Sequence, residues 1–170
     1  MEKSFFYLFI LTFIRNFAPA NWKQLMEIQL ITQELLKELH DKAKASQRLR
    51  VNFDFRNRPE DTSQRMLNVL EEGTVVPIHR HLKTSETVIS IEGCIDWIFY
   101  EELTSMDNGG MVHDGETAVD ERQFIEVVRL KVCPREGLYG IQVPKGTWHS
   151  VVVYEPSTTV EAKDGKYVKK

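Results

Sequence analysis

The period of the apolar positions changes near residue 47. Before it, in Thr32 to Ala45 (TQELLKELHDKAKA), Leu35, Leu39 and Ala43 recur every four residues with Leu36 beside them. That single stripe predicts a helix buried along one face. Thr32 can cap its start, and Lys42 and Lys44 suit the negative end of its dipole. His40 falls outside the stripe and is expected to be solvated. After Gln47 the pattern has a period of two. It predicts strands over 51–55, 66–70, 74–81, 87–91, 95–100, 124–132, 138–143, 147–154 and 158–162. Polar residues 56–63, with Pro59, read as a loop. Residues 101–121, with Asn108-Gly109-Gly110 and Asp114-Gly115, read as a mobile loop or an extended hairpin tip. Many short strands behind one helix point to a β-sandwich or barrel. Runs such as Val75-Val76 and Val151-Val152-Val153, apolar on both faces, fit buried strands.

The amino terminus breaks the pattern. Phe5 to Ile14 (FFYLFILTFI) is almost wholly apolar, and at ten residues it is too short to span a bilayer as a helix. It has the length of a signal-peptide hydrophobic region, with Lys3 before it and Ala18-Pro19-Ala20 after it, although Glu2 and Arg15 flank it too. Met26 opens MEIQLITQELLKEL, which reads as a natural start. Three readings stand: an extension upstream of the true start, an export signal, or a membrane-lying anchor. In each, residues 1–25 stand apart and residues 26–170 form one domain.

Composition agrees with a single folded unit. The chain has 170 residues, 42% apolar and 28% charged, enough for a packed core. Its 22 Lys and Arg against 25 Asp and Glu give a net charge of -3, which excludes a basic nucleic-acid clamp. Cys94 and Cys133 are too few for a disulfide-built scaffold. Read as free thiols, Cys133 a buried one, they point weakly to a reducing compartment. The cytoplasm is therefore expected, with export as the alternative if residues 1–20 are a signal.

The chemistry concentrates in His79-Arg80-His81, Glu86 and His149. On a strand, His79 and His81 point to one face and Arg80 to the other. A turn over residues 82–85 lets Glu86 return beside the pair. Gly73 and Gly93 sit where a side chain would obstruct. His149 shares parity with Val151 and Val153, so it faces inward if they do, while Trp148 faces away. His113, in the Gly-rich loop, reads as an exposed polar residue. Three imidazoles and one carboxylate suit one divalent transition metal, Fe, Mn, Ni or Zn. Four such ligands leave up to two positions open on an octahedral ion, as Lewis-acid or oxygen chemistry requires. A closed structural zinc site would more often use cysteine.

Gly73-x5-His79-x-His81-x4-Glu86-x6-Gly93 resembles the first cupin motif in full, and Pro144-x-Gly146-x2-His149 the heart of the second. Val153 stands where the second usually ends in asparagine, and Gly137 lies one residue off its usual glycine. Ala45 to Phe53, Gln64-Arg65-Met66-Leu67, Pro77 to His81, Trp148-His149 and Glu161 to Tyr167 resemble the WbuC family. These are small cupin-fold metalloproteins associated with O-antigen and other surface-polysaccharide gene clusters. Asp54 replaces a usual histidine there, and Lys166 a usual proline. The resemblance implies an all-β cupin fold (a double-stranded β-helix or jelly-roll barrel) with one N-terminal helix. It implies His79, His81, Glu86 and His149 as metal ligands. Arg50, Asn52 and Arg65 become candidate substrate contacts, since an arginine fork can hold a carboxylate or phosphate; pairing with surface acids is the competing reading. Glu161 and Tyr167 could supply a supporting acid and a lid phenol, or merely surface pairs. The expected partner is a small molecule, a sugar or nucleotide sugar, and a homodimer is expected. The expected activity is a metal-dependent sugar-modifying enzyme of isomerase, epimerase or oxygenase type. A metal-dependent binding or sensing module is the alternative.

Overall fold

The computed structural model describes residues 28–103, 115–118, 120 and 123–165. The chain divides into two compact units, Met1–Thr32 and Gln33–Lys170. The second carries all that follows. It starts with helix α1 (Gln33–Ala45). Among the described residues eight strands come next: β1 (Arg50–Asp54), β2 (Ser63–Leu70), β3 (Glu86–Glu92), β4 (Ile95–Glu102), β5 (Phe124–Val132), β6 (Gly140–Val143), β7 (Trp148–Val153) and β8 (Ser157–Asp164). One sheet has the order β1-β2-β8-β3-β6 and the other β5-β4-β7. Every pairing is antiparallel. Among the described residues the fold class is the expected all-β one: two antiparallel sheets preceded by a helix.

Strand alternation sorts the side chains into two cores. Leu70, Val88 and Val143 from the larger sheet meet Ile95, Trp97, Val132 and Val153 from the smaller one, closing the barrel interior. The other face of β2 sends Leu67 and Val69 outward. There they pack with Leu36, Leu39 and Ala43 of α1, whose stripe the sequence predicts. Full burial of a leucine contributes about 1.5–3 kcal/mol, so Leu36 and Leu39 together contribute about 3–6 kcal/mol toward holding the helix on the sheet. At the β3–β4 turn Gly93 has φ 79°, and a Cβ there would lie 2.1 Å from Ser157 Oγ. Only glycine fits this close approach.

Three expectations need correction. Residues 74–81 do not form a strand. Pro77 has no N–H to extend a ladder, and the segment is instead tied at single points. His79 N donates to His149 O at 2.9 Å and His149 N donates to His79 O at 2.8 Å. His40 is not solvated. Its Nδ1 lies 2.6 Å from Glu71 Oε1, and its Nε2 lies 3.0 Å from Glu92 Oε1 and 3.1 Å from Thr158 Oγ1. It leaves the helix beside the apolar stripe and pins α1 to a buried polar cluster. Cys94 and Cys133 are not free thiols but a disulfide, with Cα atoms 4.3 Å apart. The β4–β5 register, Ile95 opposite Val132, carries the two flanking cysteines face to face. The ground for expecting a reducing compartment therefore falls. Among the described residues no helix is long and apolar enough to cross a membrane.

Candidate metal centre

His79 and His81 sit on the irregular segment before β3, Glu86 opens β3, and His149 is the second residue of β7. These elements belong to different sheets, and the His79–His149 backbone pair draws them together. One ring nitrogen of each histidine lies within 4.8 Å of the others. The parity argument holds for β7: His149 is buried with Val153, whereas Trp148 packs on the other side with Ile78 and Phe124. Arg80, pointing away from its neighbours, places its guanidinium carbon 4.3 Å from the centre of the Trp148 ring.

Backbone carbonyls fix the tautomers. His79 Nδ1 lies 2.9 Å from Pro77 O, and His149 Nδ1 lies 2.9 Å from Thr147 O. A carbonyl only accepts, so each Nδ1 carries the proton and each Nε2 presents a lone pair. His149 Nε2 is buried and has no hydrogen-bond partner. It lies 3.0 Å from Glu86 Oε1; the two are close but not aligned to bond. Two electron-rich atoms held this near, away from water, are stabilised when a cation shares them. Glu86 Oε2 is 3.2 Å from His81 Nε2.

Protonation suits the same purpose. Burial, then the charge of His149, pushes His79 down to about 3, so its ring is neutral near pH 7. Burial alone would raise Glu86, but hydrogen bonds from His149, when its Nε2 is protonated, and from His81 outweigh it and hold the carboxyl below its usual range. A neutral His79 ring and an ionised Glu86 carboxylate are forms that bind a metal. Trp97 stacks on His149 with ring centroids 5.7 Å apart and backs the site with an apolar wall. The three ring nitrogens form a donor set that fits one divalent transition metal, with Glu86 touching two of the rings but outside that close group.

The site opens into a cavity of about 250 Å³. Of the candidate substrate contacts, Arg50, Asn52 and Glu161 line it. Arg65 does not: it shares the β2 face of Leu67, turned toward α1, and lies 3.4 Å from Asp61. Tyr167 and His113 lie outside the described residues. Further lining residues lie outside the sequence reading, among them Arg48, Lys163 and Asn68. Lys163 Nζ, largely buried, is 3.2 Å from His81 Nε2, 4.0 Å from Glu86 and 3.3 Å from Glu161. Asn68 donates to Glu161 at 2.8 Å and accepts from Asn52. Lys163 lies directly opposite Glu86 because β8 runs between β2 and β3, a pairing no local pattern encodes. A second group, Cys94, Cys133 and Glu136, is close enough to hold an ion. Its sulfurs are bonded to each other and offer no thiolate.

A family model described as a domain of unknown function, DUF6016, matches residues 31–109. That span includes His79, His81 and Glu86 but not His149. No curated protein matches the chain. Among solved structures the chain is similar to E. coli ycfD, with 17% identity and a TM-score of 0.46 over 63% of this chain and 26% of that one. It is similar to the capsular polysaccharide assembling protein CapF from Staphylococcus aureus, with 15% identity and a TM-score of 0.43 over 64% of this chain and 24% of that one. It is also similar to Cellulomonas parahominis L-ribose isomerase, with 14% identity and a TM-score of 0.46 over 68% of this chain and 60% of that one. The chain thus spans about a quarter of the first two proteins, and likeness at this level assigns neither ligand nor activity.

Proposed function

We propose that the chain is a cupin-type metalloprotein in which His79, His81, Glu86 and His149 hold one divalent transition metal. The observation that carries this reading is the buried His149 Nε2, without a hydrogen bond and 3.0 Å from an ionised carboxylate oxygen. The cavity beside it, smaller than a drug-sized pocket, suits a small metabolite. The protein would then be an enzyme on a sugar-related molecule in surface-polysaccharide metabolism, the setting implied by the WbuC resemblance. When bound, the metal supplies Lewis-acid polarisation of a ligand oxygen. The chain's own contribution is positional. Pro77 O and Thr147 O orient two of the rings, Trp97 excludes water behind His149, and Asn68 and Lys163 fix Glu161 at the cavity wall. The Cys94–Cys133 disulfide favours an oxidising compartment, and so the exported alternative.

Elemental analysis of the purified chain beside His79→Ala tests the centre. About one metal per chain, lost in the variant, supports it; equal trace content in both overturns it. Nucleotide sugars and free sugars, screened with and without oxygen, separate the two uses of such a centre. Turnover that disappears on chelation supports an enzyme. Binding without turnover supports the sensing alternative, and turnover that survives chelation refutes a metal-dependent reaction.

A further inference from the structure

The charges around the cavity do not balance. Its lining carries three cationic side chains, Arg48, Arg50 and Lys163, and two acids, Glu86 and Glu161. Both acids are committed. Glu86 faces the histidines, and Glu161 is held by Lys163 at 3.3 Å and Asn68 at 2.8 Å. Among the described residues, neither Arg48 nor Arg50 has a carboxylate partner for its guanidinium. Arg50 instead donates to the carbonyl of Val75, four residues before His79. That contact draws the guanidinium onto the segment bearing the histidines. Arg48 lies two residues earlier in the chain, so two like charges share one edge of the cavity. Burial and the charge of Arg48 both lower the Arg50 pKa. A pair of cations kept together without an acid is stabilised by an anion that arrives from solution.

The wall between the arginines and the metal centre is polar. Strand register aligns Asn52 of β1 with Asn68 of β2 and Thr159 of β8. All three line the cavity. Asn52 donates to Asn68, which donates to Glu161, which pairs with Lys163 beside His81. This hydrogen-bonded row replaces the aliphatic side chains that fill the rest of the barrel, and it offers amides and a hydroxyl to a ligand's own hydroxyl groups.

We propose that the cavity binds a small polyhydroxylated anion, its carboxylate or phosphate on Arg48 and Arg50 and its oxygen end toward the histidine cluster. This rests on the functional reading above for the metal end only; the arginine end stands on charge alone. The cationic excess exists before any metal is added, and a divalent ion increases it. A neutral sugar would leave both guanidiniums unmatched.

The test titrates the nickel-loaded full chain with glucose 6-phosphate, glucuronate and neutral glucose, read by calorimetry. Binding of either anion at least about tenfold tighter than glucose is expected, and the tighter of the two identifies phosphate or carboxylate. Arg48→Gln and Arg50→Gln should each weaken that anion about tenfold, the loss of one charge-assisted contact, and leave metal content unchanged. Arg48 is exposed, so its variant keeps the fold; circular dichroism checks both. Glucose binding as tightly as the anions, no binding by either anion, or full anion affinity in both variants would overturn the proposal. The same titration of metal-stripped chain separates the two readings. Anion preference that survives there and is lost in Arg50→Gln keeps the arginine subsite even if no stoichiometric metal is found.

Discussion

Replacing Glu86 with Gln removes one charge while keeping the shape of the side chain. The carboxylate is buried and lies 3.0 Å from His149 Nε2 and 3.2 Å from His81 Nε2. Loss of a supporting contact around a metal already costs 10- to 100-fold in affinity, so loss of the acid itself should cost about 100-fold or more. At free metal about 1,000-fold above the wild-type dissociation constant, binding stabilises the folded chain by about 4 kcal/mol. The variant, under the same conditions, keeps only about 1.4 kcal/mol of that. At roughly 2–4 °C per kcal/mol for a chain of this size, the metal-dependent rise in Tm should shrink from about 8–16 °C to about 3–6 °C. Paired melts with metal and with chelator measure the rise for each protein, so any change in stability of the metal-free variant cancels. A Glu86→Gln protein with the full rise and stoichiometric metal would refute the assignment of Glu86 as a ligand.

Other outcomes follow from features on and off the site. His79 titrates near 3 in the fold against 6.5 ordinarily, so the unfolded chain binds the extra proton between those values. The metal-free protein should therefore hold full stability above pH 6.5 and lose it as pH falls toward 3; urea midpoints across that range check this, and a flat profile refutes it. His40→Ala strands the buried Glu71 and should cost roughly 3 kcal/mol in chemical denaturation without changing metal content. The edge strand β5 exposes Ile125, Val127, Val128 and Leu130, and pairing of two copies along it would protect that edge. Light scattering should find a dimer that Val128→Lys dissociates, and a monomeric wild type would end that idea.

Much of the barrel was readable because strands such as β3, buried at every second residue, carry a period of two that survives tertiary packing. The β7 reading shows why: His149, Val151 and Val153 share parity whatever the partner strand. The sequence failed where an element's fate depends on distant chain. Residues 74–81 alternate like a strand, but Pro77 and single bridging contacts decide otherwise. His40 looked solvated because its partners, Glu71, Glu92 and Thr158, come from three separate parts of the chain. Arg65 has the chemistry of a ligand contact, but its β2 parity with Leu67 turns it toward the helix. Lys163 is visible only once β8 is known to lie against β3.

The bond between Cys94 and Cys133 gives the molecule an unusual response to a protease. A single cut between Glu102 and Gln123 would divide the chain into one piece bearing His79, His81 and Glu86 and another bearing His149. The sulfur bridge spans that cut, one cysteine on each piece. Nicked protein would therefore migrate as one band on a gel run without reductant and as two with it. The two pieces that carry the clustered histidines would remain covalently joined after the backbone between them was gone.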